Sequence, residues 1–167
     1  IDEDDIQSVV NVLRHGMLTQ GPKVLEFEKK VANYVGAKYA VAVANGTAAL
    51  HLACMALGLG SGDEAITSPN TFVATANAAL YCGAEVDFVD IDPDTYNLCP
   101  VALEKKLIQA KKDNCLPKVL IPVHLCGQSC DMKAIKTLSN DYGFKIIEDA
   151  SHAIGGEYQD QKIGSCE

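Results

Sequence analysis

The chain has 167 residues, 48% of them hydrophobic and 22% charged, a balance that belongs to a globular protein with a buried core and not to a disordered segment. A net charge of −8 and a single arginine, Arg14, exclude the basic stripe that a nucleic-acid backbone demands. No apolar run approaches the roughly 20 residues that cross a bilayer, and seven cysteines at irregular spacing, without a secretory signal, read as reduced thiols of a cytoplasmic protein.

The opening Ile1-Asp2-Glu3-Asp4-Asp5 is acidic and begins without methionine, so the natural start is expected upstream. From residue 26 onward, apolar strands alternate with amphipathic helices. Residues 26–34 read as a helix with Phe27 and Val31 on one face, and residues 39–44 as a short strand ending at Asn45-Gly46. Residues 47–57 form an alanine- and leucine-rich helix, stopped by the glycines at 58, 60 and 62. Then come a strand at 64–67, a helix at 71–81, a strand at 85–89 and a charged helix at 101–112. A buried strand at 118–123, a helix at 132–141 and a strand at 144–147 lead into Glu148-Asp149, and residues 155–163 read as a hairpin turning near Asp160-Gln161. Cys54 and Cys82 sit in apolar helical patterns and are expected to fill core space. This alternation predicts an α/β fold, a three-layer αβα arrangement around a mostly parallel sheet.

In such folds ligands collect beyond the carboxyl ends of the strands. Three segments lie at these positions. Asn45-Gly46-Thr47-Ala48-Ala49 joins a strand to a helix, where free amides, the helix dipole and the Thr47 hydroxyl make an anion site, although an ordinary helix cap explains the same residues. Phe72 follows Ser68-Pro69-Asn70-Thr71 and offers a face to a flat heterocycle, or else a core contact. Asp149 stands just after an apolar strand, where it can hold a pyridinium nitrogen protonated or simply cap a turn, and His152 follows three residues later.

Other patterns are weaker. Gly58, Gly60 and Gly62 follow a helix and lack the spacing of a dinucleotide fingerprint. His124, Cys126 and Cys130 match none of the strong zinc spacings, and the run Asp87, Asp90, Asp92, Asp94 lacks the glycine and the closing glutamate of a calcium loop. No metal is expected.

Taken together, Leu18-Thr19-Gln20-Gly21-Pro22, Asn45-Gly46-Thr47-Ala48-Ala49-Leu50, Thr71-Phe72-Val73-Ala74-Thr75-Ala76-Asn77, Val123-His124-Leu125-Cys126-Gly127-Gln128 and Glu148-Asp149-Ala150-Ser151-His152-Ala153-Ile154-Gly155 resemble the DegT/StrS family of sugar aminotransferases. The resemblance runs along essentially the whole chain. Its Leu18-Thr19-Gln20-Gly21 and Ser151-His152-Ala153 variants are most similar to the UDP-sugar aminotransferases of the pseudaminic acid pathway. It implies the large domain of a fold-type-I pyridoxal-phosphate enzyme, incomplete over residues 1–167. Thr47 and the Ala48 amide would hold the cofactor phosphate, Phe72 would stack on the ring, Asp149 would pair with the ring nitrogen, and His152, where the family often has glutamine, would approach the ring hydroxyl. Leu18, Thr19, Gln20 and Gly21 would lie near the sugar. Cys126 departs from the aromatic residue usual in the family, which puts that local contact in doubt.

The implied activity is transfer of an amino group, from glutamate, to a nucleotide-linked 4-keto-6-deoxy sugar in surface polysaccharide or glycoconjugate biosynthesis, by a homodimer. The family's Schiff-base lysine stands in a Ser-Phe-His-x-x-Lys segment expected beyond Glu167, and no lysine here has that context, so these 167 residues alone are expected not to transaminate. Two rivals share the pattern. Dehydratases of the same family use pyridoxamine phosphate and carry histidine at the lysine position, and a non-catalytic module would bind cofactor or sugar nucleotide without turnover.

Overall fold

The computed structural model describes residues 1–165. It divides into two compact units, Ile1–Ala42 and a second that begins at Val43.

The first unit holds α1 (Glu3–His15) and α2 (Pro22–Val35). The acidic opening is the start of α1, an element the pattern reading did not predict. Asp2 caps the helix, its carboxylate accepting from the Asp5 amide at 3.1 Å while Asp5 reaches back to the Asp2 amide at 3.0 Å. Three acids in the first turn and Arg14-His15 in the last suit the helix dipole. Helix α2 starts four residues earlier than periodicity suggests, because Pro22 fits the first turn, where no amide partner is needed; it ends at Gly36 in the left-handed region. Gly21 precedes it under close constraint: a Cβ there would stand 2.4 Å from the Met17 carbonyl oxygen. On the surface of α2, Lys23 and Lys30 flank Glu26 and hold its carboxyl down at about 2. The residues predicted as a strand at 39–44 join no ladder among the described residues; Ala42 instead donates its amide to Glu28 at 2.8 Å. A β-favouring run becomes a strand only where a neighbouring edge takes its hydrogen bonds.

The second unit is a parallel sheet between two helical layers. After α3 (Gly46–Ala56) come β1 (Glu64–Thr67), α4 (Ala74–Tyr81), β2 (Glu85–Phe88), α5 (Pro100–Lys112), β3 (Val119–Ile121), α6 (Met132–Tyr142) and β4 (Lys145–Ile146). The sheet order is β2-β1-β3-β4, parallel throughout. Successive strand residues point to opposite faces, and the core divides accordingly. Ile66 and Leu120 pack with Leu103 and Leu107 of α5 and Ile135 of α6; Ala65, Val119 and Ile121 pack with Leu50 and Cys54 of α3 and Ala78 of α4. Between the layers, Thr67 is buried with its hydroxyl donated to the Ile121 carbonyl at 2.7 Å. Pro122, lacking an amide, ends the regular ladder of β3, although a single bridge joins Val123 to Asp149 beyond it. A hairpin of β5 (Glu157–Tyr158) and β6 (Gln161–Lys162) turns at Gln159-Asp160, one residue before the predicted position, with both residues at positive φ as a two-residue turn requires. The acidic run serves local turns: Asp92 accepts from the amides of Asp94 and Thr95, each at 3.0 Å. No helix among the described residues is long and apolar enough to cross a membrane.

Six cysteines are described, all free. Cys54 is fully buried in the core and Cys82 packs against it. Burial, with Cys82 nearby, pushes the Cys54 thiol up to about 11, and burial pushes the Cys130 thiol up to about 12. A thiol that keeps its proton longer in the folded chain stabilises the fold fully below the unfolded value of 9.0 and loses that contribution as pH rises toward the folded value. Stability is therefore expected to fall above pH 9 by up to about 1.4 kcal/mol per pH unit for each thiol. Urea unfolding at pH 8 and pH 10.5 checks this; a double variant C54A/C130A that loses stability as steeply as the parent would contradict it.

Candidate cofactor site

The chain leaves β1 through α4 toward β2 on one side and leaves β3 through α6 toward β4 on the other. The carboxyl ends of β1 and β3 flank this divergence, the position where open parallel sheets hold ligands. A cavity of 240 Å³ lies there. Its walls are Gly46 and Thr47 at the start of α3, Thr71 and Phe72 after β1, Val123 and His124 after β3, and Asp149, Ser151 and His152 after β4. A larger hollow of 470 Å³ runs along α6 and β4, and none of these residues lines it.

Thr71 and Phe72 reach the cavity because α4 begins at Ala74, not at the predicted residue 71. The preceding residues form an entry turn in which the Thr75 amide bonds to the Phe72 carbonyl at 3.1 Å. The Phe72 ring is 74% exposed, so it offers an open face and not a core contact. At the start of α3, Asn45 caps the helix, accepting the Ala48 amide at 2.9 Å. The amides of Gly46 and Thr47 precede the first intrahelical bond and, among the described residues, stay open at the positive end of the helix. The Ala48 amide would join them only if Asn45 released it. His152 is exposed on the rim, and Gly127, at φ +88, lets the neighbouring turn close on it: a Cβ there would stand 3.0 Å from the His152 carbonyl oxygen.

Asp149 is 6% exposed. Its backbone is fixed to the end of β3, the amide donating to the Pro122 carbonyl at 2.9 Å and the carbonyl accepting from His124 at 3.1 Å. Its carboxylate accepts from Thr75, whose hydroxyl donates to Oδ2 at 2.7 Å, and from Ser151, whose hydroxyl and amide donate to Oδ1 at 2.6 and 3.3 Å, and it meets no cation among the described residues. An anionic acceptor on one wall, open amides on another and an aromatic face between fit a flat, protonated heterocycle carrying a phosphate. Those are the features of pyridoxal phosphate.

Thr47, Phe72, Asp149 and His152 are thus brought to one cavity, with Ala48 one residue behind its wall. Leu18, Thr19, Gln20 and Gly21 form the connection between α1 and α2 in the first unit; the first three are exposed and Gly21 is buried at the start of α2. Pattern reading missed Thr75, Ser151 and the supports beneath the site. His124 is fully buried, its Nδ1 accepting from the Cys130 amide at 3.1 Å and its Nε2 2.9 Å from Glu148, so the ring proton sits on Nε2. The Cys130 thiol donates to the Val123 carbonyl at 3.2 Å. His124 and Cys130 are therefore engaged within the fold, and no group of three metal-ligating side chains converges among the described residues. Asn97, 3% exposed, ties down the turn beside the cavity by accepting from the Leu125 amide and donating to the Gln128 and Ser129 carbonyls at 3.0 and 3.1 Å. A lone asparagine after an acidic turn gives no local sign of that role.

The model of the DegT/DnrJ/EryC1/StrS aminotransferase family matches residues 1–167. The chain belongs to this family. Among relatives, the DegT-type chain is 47% identical over 165 residues to the spore coat polysaccharide biosynthesis protein SpsC of Bacillus subtilis, covering 99% of this chain and 41% of that protein. It is 45% identical over 158 residues to the UDP-2-acetamido-2-deoxy-3-oxo-D-glucuronate aminotransferase of Pseudomonas aeruginosa, covering 95% and 42%. The solved structure of Helicobacter pylori PseC, an aminotransferase involved in the biosynthesis of pseudoaminic acid, superposes with a TM-score of 0.89 at 33% identity, covering 98% of this chain and 43% of that one. The chain therefore spans about two fifths of the length of these relatives.

Proposed function

We propose that this chain is the cofactor-binding part of a pyridoxal-phosphate aminotransferase acting on a nucleotide-linked keto sugar. The observation that carries the reading is the meeting of Thr47, Phe72, Asp149 and His152 around one cavity at the sheet's switch point. When bound, pyridoxal phosphate supplies an electron sink for charge left on a carbon that loses a proton. The chain's own residues would do the rest. The Thr47 hydroxyl and the open amides of α3 would receive the phosphate dianion, joined by the Ala48 amide as Asn45 turns away. Phe72 would cover one face of the ring and exclude water from it. Asp149 would hold the proton on the ring nitrogen, and His152 would bond the ring hydroxyl.

The nucleotide-sugar class is supported by the Pseudomonas relative, whose own name specifies a 3-oxo sugar. A 4-keto-6-deoxy sugar with glutamate as donor remains our reading for this chain, and it rests on the Leu18-Thr19-Gln20-Gly21 and Ser151-His152-Ala153 variants. We place Leu18 to Gly21 near the sugar, and we assign residues 1–167 to the large domain of a cytoplasmic homodimer whose Schiff-base lysine follows Glu167. None of the described lysines lines the cavity.

Fluorescence titration of the chain with pyridoxamine phosphate tests the proposal. Saturable one-site binding, displaced by inorganic phosphate, is expected, with no amino transfer from glutamate by these 167 residues. Absence of saturable binding would overturn the cofactor reading, and turnover would overturn the assignment of the lysine.

A further inference from the structure

Asp149 carries more hydrogen bonds than a ring-nitrogen partner needs, and their direction is fixed. An ionised carboxylate only accepts, with about four lone-pair positions over its two oxygens. Ser151 fills Oδ1 twice, through its hydroxyl at 2.6 Å and its amide at 3.3 Å. On Oδ2, Thr75 takes one position at 2.7 Å. Thr75 lies 2.8 Å from the Thr71 hydroxyl. Because the Thr75 proton goes to Asp149, the proton of the second bond must come from Thr71, so the hydroxyls run one way, Thr71 to Thr75 to Asp149. Thr75 is fully buried, on the second residue of α4, and Asp149 comes from the loop after β4. The brace thus ties the loop carrying the carboxylate to the helix that enters beside Phe72.

Resting on the cofactor reading above, we propose that Thr75 and Ser151 are positioning residues: they occupy three of the four acceptor positions of Asp149 and leave one, on Oδ2, for a single ring N–H. A carboxylate held this way cannot rotate to meet the ligand with either oxygen, and three donors spread its charge so that the proton stays on the ring. Neither side chain touches the reacting atoms.

The test compares equilibrium binding of pyridoxamine phosphate with that of its 1-deaza analogue, in which C–H replaces the ring nitrogen. The parent chain should prefer the nitrogen-bearing ring. T75V and S151A should each reduce that preference by roughly three- to tenfold, about the worth of one hydrogen bond, and T75V, whose residue does not line the cavity, should leave affinity for the deaza ring unchanged. T75S, which restores the hydroxyl, should restore the preference. Equal weakening of both ligands, or an unchanged preference in T75V and S151A, overturns the brace alone. A parent chain that binds pyridoxamine phosphate but shows no preference overturns the assignment of Asp149 to the ring nitrogen, and the brace with it. Should T75V fail to fold, S151A and T75S decide the matter by the same ratio.

Discussion

Asp149→Ala is expected to weaken binding of pyridoxamine phosphate by roughly 10- to 100-fold, the range of a hydrogen bond to a charged partner. The carboxylate is 6% exposed and fixed by its backbone to the end of β3, and among the described residues no other acid lines the cavity. The fold should tolerate the change better than the site does. Thr75 keeps Thr71 as a partner, and Ser151 is exposed to water. Asp149→Asn separates charge from shape: its amide oxygen still accepts from a ring N–H, but without the negative charge that favours the protonated ring, so an intermediate loss is expected. The measurement is a binding titration of each variant alongside its urea midpoint. Full affinity in Asp149→Ala, at unchanged stability, would remove the carboxylate from the site.

The largest loss of stability is expected from Leu120→Ala, about 2–5 kcal/mol by the cost of emptying a buried leucine position. Leu120 is fully buried on β3, the strand between β1 and β4, and packs with Ile66, the α5 leucines and Ile135. Strands on both sides leave little room for collapse into the cavity. Against a usual total of about 5–15 kcal/mol, such a loss should be plain in urea unfolding, and a change below about 1 kcal/mol would mean that this face of the sheet packs differently. The same strand leads into His124 and is bridged to Asp149, so the core under the sheet also sets the position of the site.

Much of this could be read from the residues. Short apolar runs located every strand of the sheet and helical patterns the helices from α2 onward, because strands buried on both faces read as continuous apolar stretches and surface helices as amphipathic ones. The ends of β1 and β4 followed, and with them the places of Phe72 and Asp149; Thr47 lies at the start of α3 as expected, although the residues before it join no strand among the described residues. Local patterns failed where the determining signal is a cap or a partner. Helix α1 starts on a capping box, Asp2 and Asp5 exchanging bonds, and behind the acidic opening its apolar positions Ile6, Val9, Val10 and Leu13 keep helical spacing. The predicted strand at 39–44 shows the converse: a β-favouring run is no strand without an edge to bond.

By itself, then, the sequence determined the α/β class and the order of the sheet strands and of the helices from α2 onward, since each depends on residues within a few positions of one another. Only the tertiary structure decided that the path diverges between β1 and β3 and that His124 is tied to Glu148 and the Cys130 amide. It also decided that Thr75 reaches Asp149 across 74 residues and Asn97 clamps a turn up to 32 residues away. Those contacts join side chains whose own neighbourhoods are ordinary. A hydrogen bond between distant residues leaves no periodic trace in either segment, so it becomes visible only when packing of the sheet brings the two ends together.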